Sequence, residues 1–311
     1  MNMYYSKFKK TIINYNPKYI LYISLYSSVG FGNLLFMVIN GLALSYKYNR
    51  NVKFIDYKSK RDDRPHINNY NIFKSLEFIN KKKCNNYIEF NEKDFYKYEK
   101  IDLFNDYYLI NGYFQSYKYS ENYIDRIKNY LFDNIKDLIQ QTTEQFNQLK
   151  DNKKTILLHV RRGDYIHHEN HYIVEEQHYK NSLNDFFEKN NKDDYKILLF
   201  TDDYNQIQSW DIINQYNITF INESNPEIIF LLMIQFDHYI IANSSLSLVS
   251  YYFRNNKDAT IKFPYKWIAG MTTYEDMIPA NAKSYNHMIP VTEINYNRRE
   301  IDGKNLALKI I

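Results

Sequence analysis

The chain has 311 residues, a length that suits two domains of ordinary size rather than one core. With 44% hydrophobic and 24% charged residues it falls among globular proteins, and a formal net charge of +4 is too small to argue for nucleic acid. Its single cysteine, Cys84, excludes an intramolecular disulfide and a cysteine-based zinc site, which suits a reducing compartment.

Residues 1–10 lack an apolar core followed by a small-residue cleavage site, so no secretory leader is expected, and the expected location is cytoplasmic or membrane-peripheral. Residues 19–46 contain no charged side chain, a length sufficient to span a bilayer. The stretch divides instead into three. Residues 19–26 are rich in β-branched and aromatic side chains and predict a strand. Residues 27–33 read as a polar, glycine-bearing turn, and Leu34, Leu35, Val38, Ile39 and Leu42 then recur at helical spacing to about Tyr46. A polar turn in mid-segment argues against a membrane span. Gly30-Phe31-Gly32-Asn33-Leu34-Leu35 lacks the third glycine of the dinucleotide fingerprint. What survives is general: its glycines admit a close ligand approach, and the following helix start presents N–H groups to an anion.

Residues 51–55 predict a second strand, whereas 57–100 carry no firm pattern and the lysine run 81–83 reads as solvated surface. Residues 109–116 read as a short strand and turn. One or two amphipathic helices are expected over 123–149, from Ile124, Ile127, Leu131, Ile135, Leu138 and Ile139. The polar stretch 140–154 is the expected linker, dividing the chain into domains 1–150 and 151–311.

Residues 156–160 form an apolar run that predicts a strand buried on both faces, running into Arg161-Arg162-Gly163-Asp164. The loop after such a strand is where open α/β sheets bind ligands, and the planar fork of arginine suits phosphate. A solvated turn with Asp164 paired to an arginine has the same sequence. His167, His168, His171 and His178 follow; histidines bind metals, but no supporting carboxylate framework accompanies them and no metal is expected. A helix over 179–189 and a strand over 195–200 lead to Thr201-Asp202-Asp203, whose carboxylates suit acid–base chemistry, a metal, the polar groups of a nucleoside, or a helix cap. Further strands are predicted at 218–221, 238–241 and 260–263, and a helix at 226–236 with Asn225 before it as the start. Ala242-Asn243-Ser244-Ser245-Leu246-Ser247 opens the segment after 238–241 and either caps a helix or donates hydrogen bonds to phosphate. Residues 159–164, 201–203 and 243–247 would then line one edge of a parallel sheet, which points to a nucleotide-type ligand.

At this point the motifs resemble a known family. His159-Val160-Arg161-Arg162-Gly163-Asp164-Tyr165 is similar to the H-x-R-R-G-D-Y motif of the α-1,2-fucosyltransferases, glycosyltransferase family 11. Gly30-Phe31-Gly32-Asn33-Leu34-Leu35-Phe36, Gly112-Tyr113-Phe114-Gln115-Ser116, Phe200-Thr201-Asp202-Asp203 and Ile241-Ala242-Asn243-Ser244-Ser245-Leu246-Ser247 resemble four further blocks of that family, in the same order. Together they cover roughly 20–270. The resemblance implies an α/β, GT-B-like fold, with two Rossmann-like domains facing a cleft. It implies a GDP-fucose donor, a galactose-type hydroxyl of a glycan acceptor, inversion at the sugar carbon and no metal or other cofactor. Nucleic acid and a membrane span are not expected partners.

By the same matching, Arg161 would neutralise the leaving diphosphate, His159 and Asp202 would contact the nucleoside, and Ser244, Ser245 and Leu246 the phosphates. Gly32 and Asn33 would face the diphosphate and fucose. The catalytic base is open among Asp164, His159, Glu175 and the departing phosphate, with Asp164 favoured. Leu34 stands where the family has glutamine, and Leu246 and Leu248-Val249 where it has aromatic residues. These departures are expected near the donor pocket and bear on the donor sugar. They keep open a transferase for another nucleotide deoxysugar such as rhamnose, and a non-catalytic glycan- or nucleotide-binding relative. A metal-dependent hydrolase built on His167, His168, His171 and Asp202 is a third alternative.

Overall fold

The computed structural model describes residues 16–26, 28–57, 67–167, 170–268, 276–278, 282–285 and 288–290. The first sheet begins with β1 (Asn16–Tyr26), followed by helix α1 (Phe31–Tyr48) and β2 (Arg50–Tyr57). Two short strands complete it, β3 (Ile88–Asn91) and β4 (Tyr107–Asn111), in the spatial order β2-β1-β4-β3 with every pairing parallel. The polar region 57–100 carries little regular structure, and the exposed β3 within it has no alternation that a sequence pattern detects.

The charge-free stretch owes its length to burial in protein. Helix α1 is apolar on nearly every side: residues 34–45 are all buried, against β1 on one flank and the second half of the chain on the other. Among the described residues no helix is long and apolar enough to cross a membrane. The helix starts three residues earlier than its periodicity suggests, so Gly32 and Asn33 lie in its first turn rather than in the loop before it. It ends on Asn49 at φ 51°, a left-handed cap whose N–H donates to the Ser45 carbonyl.

Helices α2 (Ile124–Phe132) and α3 (Lys136–Lys150) follow. The polar stretch expected to be a linker is mostly α3, whose polarity is that of its solvent faces while Thr142 and Phe146 are buried. Asp151 and Asn152, at φ 52° and 58°, then turn the chain directly into the next strand. Both helices pack on the second half of the chain: the Phe146 and Phe236 rings lie 4.9 Å apart, and Phe132 lies 6.0 Å from Phe253.

The second sheet is built on β5 (Lys154–Val160), with β7 (Tyr195–Thr201) and β8 (Thr219–Phe220) on one side. On the other side stand β9 (His238–Ile240), β10 (Thr260–Pro264) and β11 (Lys283–Tyr285), again all parallel. Strand β6 (Tyr172–Val174) pairs antiparallel with β12 (Met288–Pro290) apart from that sheet. The connecting helices are α4 (Glu176–Phe187), α5 (Tyr204–Ile207), α6 (Asp211–Gln215), α7 (Pro226–Met233) and α8 (Ser245–Tyr252). Asn225 caps α7 as the sequence predicts, its side chain accepting from the Glu227 N–H at 2.9 Å. Ile156, Leu157 and Leu158 are fully buried, as a central strand covered on both faces requires.

One apolar cluster runs from Leu21 and Phe36 in the first half to Phe230 and Tyr252 in the second. Glu227, 1% exposed on α7, accepts from the Ile72 N–H at 2.6 Å and the Asn71 side chain at 3.0 Å. The Asp276 backbone carbonyl accepts from the Tyr117 N–H at 3.0 Å and the Ser116 hydroxyl at 2.6 Å, so the late chain returns to the first-sheet loops. The α/β arrangement of parallel sheets is therefore the one expected, and the C-terminal strand edges of both sheets meet where α1 and α8 begin.

Candidate active site

In each sheet the chain order reverses beside a central strand: between β5 and β9 in the second, and between β1 and β4 in the first. Crevices of this kind at the carboxyl ends of parallel strands are where α/β proteins bind ligands. The Arg161–Asp164 turn occupies that position after β5. Arg161 is gripped at both ends of its guanidinium, with Nη2 2.7 Å from Asp164 Oδ1 and Nη1 2.9 Å from Asp202 Oδ2. Burial opposes the charge of Arg161, but the Asp202 and Asp164 carboxylates outweigh it and hold the group charged beyond its ordinary value. The Arg162 N–H donates to Asp202 Oδ1 at 2.8 Å, and its Nε lies 3.3 Å from Asp203 Oδ2. A Cβ at Gly163 would sit 2.7 Å from Asp202 Oδ2, so the turn wraps around that carboxylate only because no side chain stands there. Asp202 is the hub of the turn rather than a helix cap, and Asp203, at the start of α5, makes no side-chain cap bond either.

The neighbouring groups are fixed by burial. His159 is 6% exposed and its Nδ1 has no partner among the described residues. Burial first, and the Arg161 guanidinium second, push it down to about 4, so it is neutral at pH 7. A neutral imidazole there can exchange hydrogen bonds with a ligand but is a poor proton acceptor. Its backbone carbonyl accepts from the Tyr179 hydroxyl at 3.0 Å. Tyr165 donates to the Asn243 carbonyl at 2.8 Å and ties the turn after β5 to the turn after β9. Asn243 in turn donates to the carbonyls of Tyr172 at 3.1 Å and Trp267 at 2.7 Å, which makes it a structural brace.

Ser244 is the N-cap of α8 without a side-chain cap bond, and Ser245 and Leu246 form its first turn. The backbone N–H groups of such a turn lack intrahelical partners and suit an anion. Gly32 lies directly against them: a Cβ there would stand 2.4 Å from the Leu246 nitrogen and 2.6 Å from the Ser245 carbonyl carbon. The glycine in this block is thus required by contact between two helix starts. Next to it, Asn33 Oδ1 accepts from the Gln115 side chain at 2.7 Å, joining the first and second of the matched blocks.

The structure therefore brings Arg161, Asp164 and Asp202 together directly, with His159 on the same strand end, and brings Gly32 against Ser245 and Leu246 across the two sheets, with Asn33 next to it held by Gln115. Of the departures from the family pattern, Leu34, Leu248 and Val249 are buried in the core at 1%, 0% and 0% exposure, whereas Leu246 is half-buried at the start of α8, against Gly32. The histidine patch disperses as well. His178 is buried with Nε2 3.2 Å from the Ile241 carbonyl, and His171 packs against Tyr165 with ring centres 4.2 Å apart. His168 lies outside the described residues. Among the described residues no three His, Cys, Asp or Glu side chains gather as metal ligands. The sequence carries no signal for Glu92, which lies in the unpatterned polar region and holds the Gly112–Gln115 turn. It offered Gln115 within a matched block but no role for it.

The sequence profile of glycosyl transferase family 11 matches residues 7–278. No curated protein sequence matches the chain. Among solved structures the chain is similar to the NodZ α-1,6-fucosyltransferase soaked with GDP-fucose, an enzyme of Bradyrhizobium, at 12% identity and a TM-score of 0.48, covering 76% of this chain and 93% of that one. It is similar to POFUT1 in complex with GDP at 10% identity and a TM-score of 0.48, covering 80% and 98%. A variant of Arabidopsis thaliana FUT1 in complex with GDP matches at 10% identity and a TM-score of 0.47, covering 87% and 77%.

Proposed function

The chain belongs to glycosyl transferase family 11, and from that premise we propose that it is an inverting fucosyltransferase, moving fucose from GDP-fucose to a galactose-type hydroxyl of a glycan in α-1,2 linkage. The observation that carries this reading is the Arg161 guanidinium, held by two carboxylates at the carboxyl end of β5 beside the start of the β5–β9 crevice. In the transfer, the acceptor oxygen forms a bond to the anomeric carbon as the bond from that carbon to the β-phosphate oxygen breaks. The electron pair leaves with GDP, and the acceptor proton passes to a base.

Arg161 neutralises the charge that appears on the departing phosphate, a stabilisation that grows toward the transition state. The fork needed for this exists before any ligand arrives, because Asp164 and Asp202 orient it. The two arginines face three carboxylates here, so an incoming diphosphate exchanges with at least one of them as it takes up the guanidinium. Asp202 and the neutral His159 contact the nucleoside, and the N–H groups of Ser245 and Leu246, with Ser244 before them, receive phosphate oxygens. Gly32 and Asn33 face the same anion from the first sheet. Asp164 is the proposed base, released to accept a proton as phosphate takes its place on Arg161. No metal is needed for these steps.

The test is product analysis. Incubation with GDP-fucose and lactose in the presence of EDTA should give lactose fucosylated at O2 of galactose, identified by NMR. No transfer from GDP-fucose, with transfer from another nucleotide deoxysugar such as GDP-rhamnose, would replace the donor assignment; activity abolished by EDTA and restored by a divalent cation would overturn the metal-independent step.

A further inference from the structure

Glu92 follows the last residue of β3 and lies behind the Gly112–Gln115 turn. Its N–H donates to the Asn111 carbonyl at 2.9 Å, which fixes its backbone to the end of β4. Its side chain then reaches the turn itself, where Oε2 accepts from the Tyr113 N–H at 2.7 Å and the Phe114 N–H at 2.9 Å. Two successive backbone donors converge on one oxygen of this buried side chain, so the turn is held by a paired acceptor. The turn needs such a template. Gly112 has φ +153° and Phe114 has φ +53°, a left-handed conformation that costs a bulky residue about 1 kcal/mol or more. A Cβ at Gly112 would lie 2.5 Å from the Glu92 Cβ, so the two residues are in intimate contact.

What the turn delivers is Gln115. This side chain is 6% exposed, and its backbone N–H is tied to the Phe95 carbonyl at 2.9 Å. Its amide donates to Asn33 Oδ1 at 2.7 Å in the first turn of α1. With the Asn33 oxygen engaged, the Asn33 amide N–H groups are the end left to donate elsewhere. The next residue, Ser116, is fastened to the Asp276 carbonyl.

We infer that Glu92 is a positioning residue of the transfer reaction: it templates the Gly112–Gln115 turn, so that Gln115 fixes the Asn33 carboxamide with its N–H end toward the donor. This rests on the proposed donor-site reading for the role of Asn33, whereas the templating of the turn does not. Glu92 itself does not touch substrate, since its second oxygen, Oε1, is buried.

The experiment uses the full chain and three variants. Glu92→Ala removes the template, Glu92→Gln keeps an oxygen acceptor in its place, and Gln115→Leu cuts the link to Asn33 while leaving the turn. Transfer kinetics with GDP-fucose and lactose, GDP affinity by calorimetry, and backbone amide exchange over residues 112–116 and 31–34 are read for each. Glu92→Ala is expected to lower kcat about 10- to 100-fold, the range for a catalytic group misplaced by about 1 Å. Amide exchange at 112–116 should rise in the same variant. Glu92→Gln should recover kcat to within about threefold of wild type, because the hydrogen-bond acceptor is restored. Gln115→Leu should reproduce the kcat loss with no change in exchange at 112–116. GDP affinity should fall less than kcat in Glu92→Ala and Gln115→Leu, because Asn33 supplies only part of the proposed diphosphate contacts, and it should stay near wild type in Glu92→Gln.

Wild-type kcat in Gln115→Leu, or equal impairment of Glu92→Gln and Glu92→Ala, would overturn the inference. If Glu92→Ala does not fold, the comparison of Glu92→Gln with Gln115→Leu decides it. A wild-type chain that binds no GDP-fucose would defeat the proposed function instead, and the exchange data would still judge the turn.

Discussion

Substitution of Gly32 by alanine tests whether the two helix starts meet as tightly as the crevice requires. The added Cβ would stand 2.4 Å from the Leu246 nitrogen, 2.6 Å from the Ser245 carbonyl carbon and 2.7 Å from the Leu246 Cα, against an ordinary contact distance of 3.4 Å or more. All three obstacles are backbone, so no rotamer change relieves them, and α1 and α8 must separate by about 1 Å, given those distances. Overpacking of this kind costs about 1–3 kcal/mol, and a backbone obstacle belongs at the upper end. Alanine returns up to about 1 kcal/mol through its better helix propensity. A net loss of about 2 kcal/mol lowers Tm by about 3 °C in a chain of 311 residues. Gly41→Ala is the internal comparison, because its Cβ meets only side-chain atoms, Ile23 Cγ1 at 2.6 Å and Phe54 Cε1 at 3.3 Å, so relief there does not require two helix backbones to part. Thermal melts followed by circular dichroism should therefore rank Gly32→Ala well below Gly41→Ala, with GDP affinity falling only in the former. Gly32→Ala melting within about 1 °C of wild type would show that the helix starts are not in contact and refute the reasoning.

Two further predictions concern groups that hold the crevice from outside. Glu227→Ala leaves the Ile72 N–H and the Asn71 amide without their acceptor at a buried junction between the two halves, at a cost of about 1–3 kcal/mol. A melting curve unchanged from wild type would count against Glu227 as a clasp. Glu92 is raised from 4.5 to about 7, chiefly by burial, with the Asp94 and Glu99 charges adding to it against the two N–H bonds. The raised value means that the folded state binds the proton more tightly than the unfolded state. Its stabilising contribution is then full below pH 4.5 and is lost as pH rises to about 7, by about 3 kcal/mol at about 1.4 kcal/mol per pH unit. Glu92→Gln, which does not ionise, should flatten that part of the stability profile and exceed wild type at pH 8. Parallel pH profiles for the two proteins would contradict the assignment.

Much of the second half was legible because its strands are short apolar runs closed by polar turns, a pattern only buried parallel strands maintain. The Arg161–Asp164, Asp202–Asp203 and Asn243–Ser247 groups were placed on one edge by that alternation alone, and the structure puts them there. Three features misled in physical terms. The polar face of α3 reads as a linker because only Thr142 and Phe146 of that helix are fully buried. Gly32 and Asn33 read as loop because glycine is a weak helix former, yet the demand at Gly32 is for contact with α8. Leu34 and Leu248 belong to matched motifs, yet their side chains are buried in the core, because successive helix residues point in different directions. Glu92 was invisible for a different reason: its partners are backbone N–H groups, which no side-chain pattern records.

The central claim is that Arg161 neutralises the diphosphate of a GDP-sugar. Calorimetric titration of the full chain with GDP-fucose, with EDTA present, tests it most directly. Wild type should bind, and Arg161→Ala should bind at least about tenfold more weakly, the loss of one charge-assisted contact of about 1.5–3 kcal/mol. Arg161→Ala remaining folded by circular dichroism and binding GDP-fucose as tightly as wild type, or a wild-type chain that binds neither GDP nor GDP-fucose, would contradict the claim.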